Sequence, residues 1–273
     1  MNILQSLFYG LISGFAEFLP ISSRGHQAFL KKLFGTAQVE PFRDMMIHIA
    51  ILLAIIISCG TYIVKLQRQQ KLKRNRCSKH TDKRAYYDFR LIRTTFVPMI
   101  LVMIFHGVFS SVTDNLALLA LCMAINGAIV YFPNHLAHGN KDSSKMSTLG
   151  ATLMGICAGL SAIPGISRVG TAMTCAVSQG ADQHKAYNWV LLMSIPAILF
   201  WIMVDILTEF SVGFSGITFM AFIGYFLSAL VAFGAAMVGI YLMRFLTVRV
   251  GFSGFGFYCW GAALLAFILY LTA

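Results

Sequence analysis

A glutamate, two serines, an arginine and a histidine crowd into one short stretch near the N-terminus, where the chain reads GFAEFLPISSRGH from Gly14 to His26. Glu17 offers a carboxylate that can hold a divalent cation or accept a proton. Ser22 and Ser23 offer hydroxyls, and His26, three residues after Ser23, offers an imidazole. A hydroxyl, an imidazole and a carboxylate brought together are what nucleophilic or acid/base phosphoryl chemistry requires. Far downstream, GLSAIPGISRVGT from Gly159 to Thr171 repeats the pattern: a proline, Ile-Ser with an arginine close behind, then glycine. Arg168 in that second copy carries a permanent charge on a planar fork suited to phosphate oxygens. Each residue also has a plainer reading. Arg168 and Glu17 can be buried ion-pair partners, Glu17 can be a helix-terminal carboxylate, and a lone histidine is more often structural. His48, one turn after Asp44 in DMMIHIAILLA, reads as a packing residue at the mouth of a helix.

The elements that must position these groups are membrane helices. Of the 273 residues 58% are hydrophobic and only 11% charged, and the mean hydropathy is +0.75. That is more apolar surface than one soluble core can hide. Stretches long enough to cross the hydrocarbon layer are expected at about 45–64, 96–112, 116–133, 187–204, 217–243 and 255–273. A cleavable signal peptide is not expected, because the first apolar stretch lacks a basic leader and runs into Glu17 and Pro20. The six cysteines, 59, 77, 122, 157, 175 and 259, form no CxxC pair and read as reduced packing residues.

The net charge of +11 is not a nucleic-acid footprint, because eleven of the 21 Lys and Arg lie between Lys65 and Arg93. A basic run between two spans marks a cytoplasmic loop, with contact to anionic lipid as the lesser reading. The connection 134–147, with Lys141 and Lys145, is then inside. Segment 205–216, with Asp205 and Glu209 but no Lys or Arg, falls outside, and segment 244–251, with Arg244 and Arg249, falls inside.

Both copies of the motif break an apolar stretch in its middle, over 3–34 and 148–181. Polar, non-helical backbone at membrane depth is tolerated only inside protein or beside a wet cavity, so each stretch is expected to be a re-entrant helix, loop and helix. Three spans separate them, so they enter from opposite faces. The expected architecture is one all-α polytopic domain over 1–273, an inverted-topology repeat with halves at about 1–133 and 148–273. Helix N-termini meeting near the midplane would form one anion-binding pocket. From the residues alone, hydrolysis and transport both stay open.

In AEFLPISSRGH, DMMIHIAILLA, PGISR and LLMSIPAIL, in that order, the chain resembles the bacterial undecaprenyl-diphosphatase family associated with bacitracin resistance, over nearly its whole length. The resemblance implies an inner-membrane enzyme that removes the terminal phosphate of a C55 isoprenoid diphosphate, regenerating the monophosphate carrier for cell-wall synthesis. It implies a divalent cation, Mg or Ca, with Glu17 as ligand. The catalytic set it implies is Glu17, Ser23, His26 and Arg168, with Ser23 or His26 as nucleophile. Ser22, Arg24, Gly165, Ser167 and Thr171 would bind substrate. The implied partners are a polyprenyl diphosphate and the membrane, with a homodimer compatible and the site facing the extracytoplasmic side. The chain departs from the family pattern in several places. Ser13 stands for a first glutamate, Arg24 for a threonine and Val169 for a serine. The threonine after the glycine is displaced to Thr171, with Ala172 in its place, and Ala158 stands for a glutamine. These losses keep a second reading alive, a weakened paralogue that binds or transports lipid phosphates.

Overall fold

The computed structural model describes residues 2–36, 40–74, 83–137, 139–213 and 218–272. Cys77, the centre of the basic run and part of segment 205–216 lie outside the described residues. The helices, in chain order, are α1 (Ile3–Glu17), α2 (Ser23–Leu33), α3 (Pro41–Arg74), α4 (Lys83–Met103), α5 (Ser110–Asp114), α6 (Leu116–Tyr131), α7 (Thr148–Gly159), α8 (Arg168–Ser178), α9 (Gln183–Val212), α10 (Phe219–Arg249) and α11 (Phe255–Thr272).

Their starts are written locally. The Asn2 side chain accepts from Gln5 N–H while the Gln5 side chain answers Asn2 N–H, a reciprocal cap for α1. Asn115, Ser147, Asp182 and Thr218 cap α6, α7, α9 and α10 through their side-chain oxygens. Pro41 opens α3, where its missing N–H costs nothing.

Among the described residues six helical stretches are long and apolar enough to cross a membrane: Pro41–Gln70, Lys83–Asp114, Leu116–His135, Gln183–Val212, Phe219–Arg249 and Phe255–Thr272. The chain is therefore an all-α polytopic membrane protein. Large apolar side chains such as Phe105, Phe210 and Phe219 stand exposed on its flanks, which only a lipid solvent tolerates in such number. The helices outrun the expected spans. Segment 205–216 was expected as a connection, but α9 continues through Val212, so Asp205 and Glu209 are helical. Likewise α10 continues to Arg249 through most of the expected 244–251 connection. Apolar windows mark the hydrocarbon crossing, whereas a helix continues until a cap or a broken propensity stops it.

The remaining helices α1, α2, α7 and α8 hold 15, 11, 12 and 11 residues. At a rise of about 1.5 Å per residue none of them spans the roughly 30 Å of hydrocarbon. They pair instead as two hairpins, α1 with α2 and α7 with α8. Each half of the chain is thus a helical hairpin followed by three long helices. The packing respects this correspondence: α1 lies on α10 and α7 on α4, while α3 meets α9 and α6 meets α11. The hairpin seams are made of small residues, as close helix packing in lipid requires. A Cβ at Gly14 would strike the Ala232 carbonyl, and a Cβ at Gly159 would come within 2.6 Å of Val102.

Candidate functional site

The two hairpin tips meet inside the bundle, and paired serines join them. Ser22 caps α2, its Oγ accepting from Gly25 N–H at 3.2 Å, and the same oxygen accepts from Gly165 N–H of the other tip, also at 3.2 Å. Ser167 caps α8, its Oγ accepting from Gly170 N–H at 3.1 Å, and its hydroxyl donates to the Leu19 carbonyl of the first tip at 3.2 Å. Asn126 on α6 closes the ring. Its amide donates to Pro20 O at 3.0 Å and its carbonyl accepts from Ser167 N–H at 2.8 Å. All of this is buried, where an unmade hydrogen bond is costly, so the two tips hold each other in register.

The approach is tight enough to dictate glycines. Gly165 takes φ +95°, a region open to glycine, and a Cβ at Gly25 would stand 2.9 Å from Gly165 Cα. Ser22 takes φ +68° with a full side chain, the one positive-φ residue other than glycine among the described residues. Backbone held in that region stores strain and is concentrated at functional sites.

Beneath the tips lies a narrow cleft lined by Glu17, Ser22, Ser23, Arg24, Ser167 and Arg168, with His48 and Trp201 at its edge. Its free volume is about 20 Å³, room for a water molecule. Arg168 Nη2 donates to Glu17 Oε1 at 2.5 Å and Nε to Ser194 Oγ at 3.2 Å. The pair therefore joins the first hairpin to the second, with Arg168 5% and Glu17 9% exposed. Arg24 donates to Ala162 O at 3.0 Å and lays its guanidinium 3.9 Å from the centre of the Trp201 ring.

Arg24, His48 and Trp201 also border a vestibule of about 510 Å³, lined further by Gln27, Lys31, Asp44 and Asp205. They form the neck between the two spaces. The vestibule sits at the Pro41 end of α3, and the basic stretch that follows Lys65 sits at the other end of the same helix.

Several expected site residues stand elsewhere than spacing implied. His26 lines neither space. Its Nδ1 meets Ser22 O at 2.8 Å, its Nε2 meets the Tyr258 hydroxyl of α11 at 2.8 Å, and its ring stacks on Tyr258. The imidazole is thus engaged by Tyr258 outside the cleft that Glu17, Ser22 and Ser23 line. Thr171 Oγ1 is spent on the carbonyls of Cys157 and Ser167, at 2.7 and 2.8 Å, and the Gly165 N–H is spent on Ser22. Ser23 does line the cleft, its Oγ donating to Ser13 O at 3.2 Å.

Two residues escaped the sequence reading. His48, expected to pack, has its Nδ1 2.6 Å from Asp205 Oδ2 of α9 and borders both spaces. Asp205, assigned to an outer connection, is the other half of that pair. The only sequence signal was charge: an acid and an imidazole, each in an apolar helix, need a partner at membrane depth.

The donor set does not suit a resident metal ion. Glu17 gives Oε1 to Arg168, and Ser13 has only a hydroxyl, which accepts from Gln27 at 3.0 Å. Asp44 is engaged by Arg43 and Lys31, and Asp205 by His48. Among the described residues no three of His, Cys, Asp or Glu stand close enough to hold an ion.

Residues 6–265 match the family described as "Bacitracin resistance protein BacA". The chain belongs to this family. It is similar to an undecaprenyl-diphosphatase of Halothermothrix orenii, 26% identical over 271 residues that cover 98% of each chain. It is similar also to an undecaprenyl-diphosphatase of Caldicellulosiruptor bescii, 29% identical over 279 residues and again 98% of each. A third, from Treponema denticola, is 29% identical over 252 residues, covering 90% of this chain and 88% of the relative.

Proposed function

We propose that this member of the bacitracin resistance family is an undecaprenyl-diphosphatase, hydrolysing the terminal phosphate of a C55 isoprenoid diphosphate in the membrane. The observation that carries the reading is the Glu17–Arg168 pair, set by two hairpin tips at the floor of a cation-bordered neck. A lipid diphosphate enters head first, its apolar chain remaining among the exposed leucines and phenylalanines of the flanks while its charged end occupies the vestibule. Such a site works by positioning and by fixed charge, since phosphoryl transfer asks little covalent chemistry of the protein. Arg168 stabilises the charge that develops on the transferred phosphoryl group. Glu17 Oε2, which makes no hydrogen bond among the described residues, is placed to take a proton from the attacking group. The geometry favours Ser23 over His26 as an attacking or positioning group, because the Ser23 side chain faces the cleft and the imidazole does not.

The basic run supports an orientation with the α3–α4 connection in the cytoplasm, which puts the vestibule on the extracytoplasmic side of an inner membrane. The two halves then form an inverted repeat, with the hairpins entering from opposite faces. A cysteine introduced at Thr36 on the vestibule should react with a membrane-impermeant maleimide in intact cells.

The test is phosphate release from undecaprenyl diphosphate by purified protein in detergent. Wild type should turn over, and Glu17→Ala and Arg168→Ala should not. Ser13 favours one second reading, a binder that hydrolyses poorly. It would be adopted if wild type bound the lipid diphosphate and released no more phosphate than the variants.

A further inference from the structure

The first hairpin brings the cleft one carboxylate, Glu17, and one guanidinium, Arg24, with a hydroxyl at Ser13 behind them. Ser13 presents a hydroxyl already bonded to Gln27, and the remaining glutamate is committed to Arg168. Of the acids that line the vestibule, Asp44 is bonded to Arg43 and Lys31 and Asp205 to His48, and Asp114 of α5 is the third. A dication held at Glu17 or Asp44 would share the carboxylate with a protein cation, and at the neck it would lie between two guanidinium groups that repel it.

Arg24 is built for what the acids do not do. Its Nη1 is tied to Ala162 O, a carbonyl of the second hairpin, at 3.0 Å, and its plane is laid on Trp201 of α9. The side chain is thus oriented by both halves of the molecule. It makes no ion pair among the described residues, and of its five N–H donors the Ala162 bond uses one. The others border the neck through which a phosphate must pass, and Arg168 waits on the far side of the cleft.

We infer that the site grips a diphosphate between Arg24 and Arg168, without a divalent cation held by the protein. The inference rests on reading the site as one for a lipid diphosphate. In this arrangement Arg24 takes the outer phosphate oxygens as they reach the neck, Trp201 and Ala162 keep its fork from turning away, and Arg168 takes the terminal group once the water-sized cleft has widened to admit it. Fixed guanidinium charge then supplies the neutralisation that a bound ion would give, with bidentate geometry in place of coordination.

The experiment measures binding apart from turnover. Methylenediphosphonate, a diphosphate that cannot be hydrolysed, is titrated by calorimetry into purified full-length protein in excess EDTA, and again in Mg²⁺ or Ca²⁺. The inference expects binding in EDTA within about threefold of that with metal, and a loss of about tenfold or more in Arg24→Gln, with Arg24→Lys between them. Melting temperatures recorded beside each titration separate a lost contact from a lost fold. Binding that requires the metal overturns the inference, and so does unchanged affinity in a folded Arg24→Gln. Phosphate release from undecaprenyl diphosphate, run on the same samples, judges the enzymatic reading separately. Absence of turnover under every condition sinks that reading, while the calorimetry still decides how the diphosphate is held.

Discussion

The two hairpins are built alike and used differently. Both start a short helix with a serine cap, both bring a glycine to within contact of the other tip, and both lean on Asn126. Yet α8 is buried almost throughout, from Arg168 to Thr174, whereas in α2 only Ser23, Gly25 and Ala28 are buried. The second hairpin is a wedge that presents one charged group, Arg168. The first is half open, and its remaining residues, Arg24, Gln27 and Lys31, become the wall of the vestibule. Two hairpins built alike therefore do not make two like sites. The one packed on every side fixes the geometry, and the one left open lines the vestibule.

The two hairpins depend on each other most where they exchange charge. Arg168→Met should leave Glu17 buried and unpaired, costing about 3–5 kcal/mol of stability, and lower phosphate release on the order of a thousandfold. Adding Glu17→Gln should bring the melting temperature back toward wild type without restoring turnover, because stability needs only neutrality while chemistry needs the charges. If Arg168→Met alone kept its activity within tenfold, the pair would be a structural clasp and nothing more. Next in size is Asn126→Leu, which strands the Ser167 N–H in a dry interior and leaves Pro20 O only the Cys259 thiol at 3.6 Å, a loss of about 1–3 kcal/mol. Chemical unfolding in detergent checks this, and a cost well under 1 kcal/mol would mean that each tip holds itself.

These two predictions also mark how far the sequence could be read. The doubled motif, the broken helices and the ion pair between Glu17 and Arg168 were legible, because burying proline, glycine and charge in an apolar stretch has few physical solutions. The roles of the serines were only half legible. The sequence put Ser22 and Ser167 in the breaks of the two apolar stretches, but that each would cap a helix and reach across to the opposite tip depends on three-dimensional placement. Asn126 carried no signal at all, being one amide in the apolar run LALLALCMAINGAIVY. For His26 the spacing gave only a shared helix face with Ser23, and the contact of its ring with Tyr258 of α11 depends on residues 232 positions apart. His48 and Asp205 were missed for the same reason, since their contact joins residues 157 positions apart.

A smaller effect distinguishes two ways in which His26 can matter. With Nδ1 against Ser22 O, the ring braces the strained start of α2 from outside the cleft. His26→Gln should then reduce phosphate release by roughly tenfold, about 1.4 kcal/mol in barrier, and leave the pH profile of turnover unmoved. Loss of one limb of that profile would instead show that the imidazole leaves Tyr258 and handles a proton in the cleft, and Tyr258→Phe would then change the profile too.

The finest distinction lies between the two capping serines themselves. Ser167 caps α8 with ordinary extended backbone, φ −91°, while Ser22 caps α2 at φ +68°. At a relaxed cap, alanine costs about 0.5–2 kcal/mol and glycine only a few tenths. At Ser22 glycine should gain a second advantage, because it also releases the cost of holding a Cβ at positive φ, about 1–3 kcal/mol. The gap in stability between Ser22→Ala and Ser22→Gly should therefore exceed the gap between Ser167→Ala and Ser167→Gly by about 1 kcal/mol or more. Equal gaps would mean that Ser22 bears no strain. The wider gap would show that the first tip holds its serine against a preference, and that the oxygen receiving both Gly25 and Gly165 is worth the distortion.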